Sequence, residues 1–158
     1  MSSVFGAEVA QWVANVTART SQTIKASVVD LCTAVIDQTP VYKENDYWGP
    51  PDARITKENW QTLVNVSADE YMLGVPGQSK ATLDAVVEVA WNPWDGDSLV
   101  FANTDPYITM LEFGQYKYKH PVNTINGFST QAPQGMVRIN VARFNAILDA
   151  NIAKFIGK

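Results

Sequence analysis

The chain has 158 residues, a mass of 17.4 kDa, 46% hydrophobic residues and 18% charged residues. These values predict one folded domain and are typical of globular, not disordered, proteins. The net charge of −4 and the pI near 4.9 argue against a general nucleic-acid-binding protein, whose domain would be basic. No apolar run is long enough for a membrane span, and the first residues lack a basic segment before an apolar core. We therefore expect no membrane partner and no signal peptide.

Residues 4–37 have the pattern of one long helix, because apolar residues recur at steps of three and four. Such a helix would be about 50 Å long, whereas a small domain is about 30 Å across. The polar stretch 17–23 allows a break in the middle. Without a break, part of the helix must project or pack on another subunit, which indicates an oligomer.

The single cysteine, Cys32, falls on the apolar side of this helix and has no partner for an internal disulfide. A chain that cannot form an internal disulfide fits a reducing cytoplasm. A catalytic cysteine needs a histidine, and the chain has only His120. We interpret Cys32 as a small buried hydrophobic residue.

The long helix ends at Thr39-Pro40-Val41, and an inserted loop, residues 42–54, follows. This insert contains Trp48 beside two prolines. Trp48 forms either an exposed patch for a partner or a lid folded over the core, and the sequence leaves both open.

Three further elements are predicted before residue 105. Residues 59–66 alternate like a strand, and residues 80–90 have helical spacing, although the valines allow a strand over 85–91. Residues 98–103 form a second strand, whose apolar centre, Leu99 to Phe101, we expect to be buried on both faces. Strands flanked by long helices predict an α+β fold.

Residues 105–114 predict a short helix of about three turns with a signal at each end. Asp105 is a suitable N-cap, and Pro106 suits the first helical position. Gly114 suits the position after the last turn, which usually needs a left-handed conformation.

Glu112 contradicts this pattern, because it lies in the last turn of the predicted helix. A carboxylate at the negative end of the helix dipole costs roughly 0.3–1 kcal/mol. Either Glu112 is solvated and this penalty is tolerated, or a cation holds it, with Arg138 and Arg143 as the candidates.

Residues 115–121 alternate aromatic and basic side chains, including Lys117, Lys119 and His120. Such alternation is found where proteins bind single-stranded nucleic acid. Two lysines and one histidine are too few for strong phosphate binding, so an edge strand or loop with solvated lysines is the alternative. Asn126-Gly127 predicts a turn after this run.

Residues 135–155 predict one last helix, whose apolar stripe should pack on the sheet and on the N-terminal helix. The stripe comprises Val137, Val141, Phe144, Leu148, Ile152 and Phe155. The predicted architecture is a small, mostly antiparallel sheet packed by the long N-terminal and C-terminal helices, with the short capped helix at 105–114.

No familiar chemical motif is present, so we expect no catalytic residue, no metal and no cofactor. The chain lacks a phosphate-binding glycine loop, a Cys/His cluster for zinc and a nucleophile elbow. A carboxylate-based site would have to use Glu88, Asp105 or Glu112, and no local signal supports one.

Two stretches, in order and at plausible spacing, resemble the head–tail connection family of tailed bacteriophages, the neck, tail-completion or minor tail proteins. The stretches are Pro106-Tyr107 with Leu111-Glu112-Phe113-Gly114, and Gln131-Ala132-Pro133-Gln134-Gly135-Met136-Val137. Thr39-Pro40-Val41 also matches, but the Asp-Thr-Gly that follows it in the family is replaced by the insert 42–54. The motif residues are Tyr107, Leu111, Glu112, Gly114, Gln131, Pro133, Gly135 and Met136.

This resemblance implies a structural virion protein of the neck of a long-tailed phage, assembled in the cytoplasm of the host bacterium. It would form a ring, as a hexamer or dodecamer, with other neck, connector and tail proteins, and would complete or attach the tail. The candidate contacts to neighbours or to DNA in the channel are Trp48, Lys117, Lys119, His120 and Arg138. The alternatives are a tail terminator or head-closure protein of the same junction, or a monomeric cytoplasmic α+β enzyme or ligand-binding domain.

Overall fold

The computed structural model describes residues 4–41, 56–65, 79–92, 98–115 and 124–157. Its elements are α1 (Val4–Gln38), β1 (Trp60–Val64), α2 (Ser79–Trp91), β2 (Leu99–Asn103), α3 (Ile108–Phe113), β3 (Thr124–Ile125), β4 (Phe128–Ser129), α4 (Val137–Ala142) and α5 (Phe144–Phe155). A short 3-10 turn, Lys57–Asn59, precedes β1. The predicted α+β class is confirmed, with long helices at both ends and small antiparallel sheets.

Helix α1 is continuous, so the polar stretch 17–23 does not break it. The hydroxyl groups of Thr23 and Ser27 donate to the carbonyl oxygens of Arg19 and Thr23, one turn earlier, at 2.8 Å each. Both hydroxyls are therefore satisfied by the helix's own carbonyl groups. All residues from Val4 to Thr20 are exposed, whereas the second half of α1 contributes buried residues to the core.

The strands β1 and β2 form a two-stranded antiparallel sheet, with Trp60 opposite Asn103 and Val64 opposite Leu99. Trp60 stacks on Phe101 with 4.5 Å between the ring centroids. Every residue of β2 is only half-buried. The prediction that Leu99 to Phe101 is buried on both faces is therefore wrong, because in the described residues the sheet has two strands and leaves one face partly open.

Helix α2 confirms the helical reading of residues 80–90, and the strand alternative for 85–91 is wrong. Val86 and Ala90 are four residues apart and are both fully buried against the rest of the core. Helical spacing brings them to one face, which packs on α1 and β1.

The core lies between the second half of α1, the β1–β2 sheet, α2, α3 and the start of α4. Its buried residues are Cys32, Val35, Ile36, Trp60, Val86, Leu111, Ala132 and Met136. None of the helices in the described ranges combines the length and the hydropathy that crossing a membrane requires.

The predicted single helix over 135–155 is wrong, because the chain forms two helices that meet at Arg143. The helical pattern is interrupted at Arg143, whose φ is −91° and ψ is 0°, and the predicted stripe does not form one buried face, since Val141 and Ile152 are exposed. Helices α4 and α5 both pack on α1, and each makes a polar contact with it. Asn151 donates to Asp30 at 2.8 Å, and Asn140 donates to Gln38 at 3.0 Å.

Candidate functional site

The carboxylate of Glu112, at the end of α3, binds the start of α4. Its Oε2 accepts hydrogen bonds from the backbone N–H groups of Met136 and Val137, at 2.8 Å each, and its Oε1 accepts one from that of Arg138 at 2.9 Å. The first N–H groups of a helix have no partner within the helix. Glu112 therefore caps α4 from a different element and faces the positive end of a helix dipole.

The Arg138 side chain completes this arrangement. Its Nε donates to Glu112 Oε1 at 3.0 Å, and its Nη2 donates to the Glu112 carbonyl oxygen at 2.6 Å. The guanidinium also lies 4.9 Å from the centroid of the Phe113 ring. Of the two cations that the sequence offered, Arg138 holds Glu112, while Arg143 lines a groove between α1 and α5 beside Asp30.

The charge of Glu112 is stabilised although the residue is only 7% exposed. Burial by itself would raise the pKa of this carboxyl. The three backbone N–H groups and Arg138 outweigh burial and hold the pKa below its ordinary value of 4.5. Glu112 is therefore a charged structural clamp at neutral pH and a poor general acid or base.

Gly135 allows the clamp to close. Its φ is +79°, and a Cβ at this position would lie 2.6 Å from the Glu112 carbonyl oxygen and 2.8 Å from its Oε2. Side chains are rarely found at such a φ, and no real Cβ approaches backbone so closely. The turn before α4 thus depends on glycine to bring the helix start onto the carboxylate.

Gly114 ends α3 as the sequence predicted, in the left-handed conformation at φ 67° and ψ 39°. Its N–H donates to the Met110 carbonyl oxygen at 3.0 Å. The ring of Phe128 lies against it, because the predicted turn at Asn126-Gly127 joins β3 to β4. The hairpin therefore closes over the end of α3.

Asp105 has a different role from the predicted one, since α3 begins only at Ile108 and has six residues instead of about three turns. Asp105 Oδ1 accepts from the backbone N–H of Tyr107 at 2.8 Å, within the turn before the helix. Its Oδ2 accepts from the Thr56 hydroxyl at 2.5 Å. The buried carboxylate therefore ties the turn before β1 to the turn before α3.

Gln131 joins the second motif stretch to the end of α1. Its side-chain amide donates to the Val41 carbonyl oxygen at 2.9 Å and accepts from the Val41 N–H at 3.1 Å. Thr39, two residues earlier, accepts a hydrogen bond from Trp60 Nε1 at 2.9 Å. The three stretches on which the resemblance depends thus meet in one packed unit.

The other motif residues fall in three environments. Leu111 and Met136 are buried in the core, Tyr107 is half-buried, and Pro133 is exposed. Trp48, Lys117, Lys119 and His120, proposed from the sequence as contacts, lie outside the described residues, as does the insert 42–54. Arg138, also proposed as a contact, is engaged with Glu112.

Reactive groups are scarce in the described part of the chain. There, no three or more His, Cys, Asp or Glu residues are placed to hold a metal ion. Cys32 is buried as predicted, and burial raises the pKa of its thiol to about 12, so it is not a nucleophile at neutral pH.

The exposed half of α1 carries a second candidate surface, which we call the α1 stripe: Phe5, Val9, Trp12, Val13 and Val16. These side chains are 72%, 43%, 65%, 49% and 43% exposed. Their spacing of i, i+4, i+7, i+8 and i+11 places them on one side of the helix. Sequence reasoning found the valines but missed Phe5 and Trp12, which the same spacing could have revealed.

Comparison with protein-family models, with curated proteins and with solved structures gives no match to this chain. The likeness to the phage neck family rests on the motif residues quoted above.

Proposed function

We propose that this chain is a structural subunit of the head–tail junction of a long-tailed bacteriophage, and that it acts by assembly and catalyses no reaction. In the virion it forms a ring, as a hexamer or dodecamer, and completes or attaches the tail. The observation that carries the assembly role is the projecting half of α1 with its exposed apolar stripe.

The length of the projection supports a partner. Residues 4–20 rise about 25 Å along the helix axis. A helix of this length is only marginally stable in water by itself. Valine and threonine, which are frequent here, have lower helix propensity than alanine or leucine. Burial of the α1 stripe against another chain would supply the missing stabilisation, as tertiary packing does for most protein helices.

The chemistry of the motif stretches supports a structural role. The Glu112 carboxylate receives four hydrogen bonds from its own chain, one of them from the half-exposed Arg138 side chain. Gln131 likewise binds the backbone of Val41. These residues act in holding the subunit together, so the neighbouring loops are the parts left to meet other proteins.

The contacts within the junction follow from ring geometry. A closed ring needs heterologous contacts, in which one patch meets a different patch on the next copy. We assign these contacts, and those to other neck, connector and tail proteins, to the insert 42–54 and to residues 115–130, which end in the β3–β4 hairpin. Lys117, Lys119 and His120 face the DNA channel in this proposal.

A tail terminator or head-closure protein of the same junction is the nearest alternative. The more distant one is a monomeric enzyme or ligand-binding domain with a carboxylate site. Both Glu112 and Asp105 accept hydrogen bonds from protein groups, which disfavours either as a free catalytic base.

The experiment is a measurement of mass in solution by light scattering, for the protein alone and mixed with isolated virions or neck components. Val16→Glu should abolish recruitment to the virions or neck components. Val87→Glu on α2 is the matched control, since both valines are 43% exposed and lie on helices. A protein that stays monomeric, ignores virions and is unaffected by Val16→Glu would contradict the proposal.

A further inference from the structure

The α1 stripe has one charged residue of each sign beside it. Between Val4 and Ser21 the only charged residues are Glu8 and Arg19. They are eleven residues apart, which is about three helical turns, so both lie on the same flank of the stripe. The negative charge is near the N-terminal end of the exposed half, and the positive charge is near its other end.

This placement favours a second copy of the same helix in the opposite direction. In an antiparallel pair, equivalent flanks of the two helices face each other, so that Glu8 of each copy meets Arg19 of the other. In a parallel pair the same flank of the two helices lies on opposite sides of the seam, so neither Glu8 nor Arg19 would face the opposite charge of the other copy. Opposite charges beside an apolar seam determine partner choice and orientation in paired helices.

We propose that two copies of this protein pair through their α1 stripes in antiparallel orientation, with the two-fold axis near residue 14. Because a helix rises evenly, a residue of one copy lies level with a residue of the other when their numbers add up to about 28. Trp12 packs beside the partner's Val16, and Val9 packs beside the stem of the partner's Arg19. Glu8 lies one residue from the level of the partner's Arg19, within reach of its guanidinium.

The pairing is compatible with what Arg19 does in its own subunit. Arg19 has a contact within the protomer, and a guanidinium carries five N–H donors, so it can serve a second acceptor. Its aliphatic stem covers apolar surface while the charged group stays at the edge in water.

The contact is additional to the proposed ring. A two-fold pair is isologous, since the same patch is used on both copies, whereas a ring needs heterologous contacts. The pair therefore does not depend on a role at the phage junction, and each can be tested without the other.

Charge exchange tests the pair directly, with the dissociation constant of the dimer measured by sedimentation at low and at physiological salt. The wild type should reach twice its 17.4 kDa. Glu8→Arg and Arg19→Glu should each weaken the dimer roughly tenfold at low salt, because each creates two like-charge contacts. The double variant, Glu8→Arg with Arg19→Glu, should recover the wild-type constant.

Cysteine cross-linking tests the orientation. In the antiparallel pair two copies of residue 13 are about 3 Å apart along the axis, whereas two copies of residue 5 are about 27 Å apart. Val13→Cys should therefore give a cross-linked dimer with a short bismaleimide, and Phe5→Cys should not. The wild type, whose Cys32 is buried, is the unlinked control.

Three results would overturn the pair: a wild type that stays at 17.4 kDa at high concentration, a double charge exchange that does not recover dimerisation, or efficient linking of Phe5→Cys. A larger ring that ignores both charge variants would also overturn the pair, but it would leave the proposed function standing. Circular dichroism of every variant checks that the fold is retained, which is expected because the altered side chains are exposed.

Discussion

The carboxylate of Glu112 lies so close to Gly135 that a Cβ on residue 135 would be 2.8 Å from its Oε2. Through this contact the end of α3 meets the start of α4, and one side chain satisfies three backbone N–H groups that α4 itself leaves without partners. The carboxylate that seemed misplaced at the end of one helix is therefore well placed at the start of another.

Replacement of Glu112 by alanine should destabilise the protein strongly. The change leaves three helix-start N–H groups and Arg138 without their acceptor, and a buried donor left without an acceptor costs about 1–3 kcal/mol. For a chain of this size the melting temperature should fall by roughly 10 °C. Thermal and urea unfolding measure the change.

Glu88→Ala is the matched control for that variant, because Glu88 is an exposed glutamate on α2. Its effect should stay within about 0.5 kcal/mol, as is usual for surface substitutions. Equal melting temperatures for Glu112→Ala and the wild type would show that the clamp is unimportant for stability.

Gly135→Ala should also destabilise the protein, by about 2–5 kcal/mol. A side chain at positive φ costs about 1–2 kcal/mol, and the added methyl group collides with the Glu112 backbone and carboxylate. Urea unfolding of Gly135→Ala is compared with that of Gly6→Ala. Gly6 lies within the exposed half of α1, where alanine should stabilise the helix by about 0.5–1 kcal/mol. If both variants changed the free energy of unfolding in the same direction, the prediction would be wrong.

The contribution of Glu112 should depend on pH in the acid range. Its pKa in the folded protein lies below the ordinary 4.5, because the N–H groups and Arg138 stabilise the charged form against the effect of burial. A depressed pKa gives stability that is fully present above the unfolded value and is lost as the pH falls through the folded value. The free-energy difference between wild type and Glu112→Gln should thus be constant above about pH 5.5 and shrink below 4.5.

Urea unfolding of both proteins from pH 7 down to pH 3 provides this comparison. Because the other acidic groups are common to wild type and variant, their titration cancels in the difference. A difference that stays constant through the acid range would mean that Glu112 is not stabilised in its charged form.

Arg138→Lys should weaken the protein by about 1 kcal/mol, although the charge is kept. Lysine cannot reproduce the two directed contacts that Nε and Nη2 make to the Glu112 carboxylate and carbonyl oxygen. The magnitude is modest because the Arg138 side chain is about half exposed. Arg143→Lys is the control. If it lowered the free energy of unfolding as much as Arg138→Lys, the directed hydrogen bonds of Arg138 would not explain the loss of stability.

The regular elements could be predicted from the sequence because their signals are local. The apolar spacing predicted α1 and α2, Gly114 marked the end of α3, and Asn126-Gly127 marked the hairpin turn. Each depends on residues within a few positions along the chain, so no knowledge of the tertiary packing was needed.

The details of the site could not be predicted, since they depend on distant packing. The sequence showed that Glu112 was anomalous, but it could not choose between Arg138 and Arg143. That choice follows from the turn at Gly135, which directs the first residues of α4 at the carboxylate. The interruption of the helix at Arg143 was missed because the apolar spacing continues across it. The half-buried state of β2 depends on how many strands pair in the sheet.

Lys117→Glu combined with Lys119→Glu tests the DNA-facing part of the proposed function. If these lysines line a channel, the change reverses two charges per subunit all around the ring, and phosphate contacts are the main source of sequence-independent DNA affinity. DNA retention and infectivity of assembled particles should fall, most strongly at low salt. Lys154→Glu, an exposed lysine on α5, is the control for a charge change elsewhere. Particles that incorporate the double variant and keep both properties would exclude the channel contact.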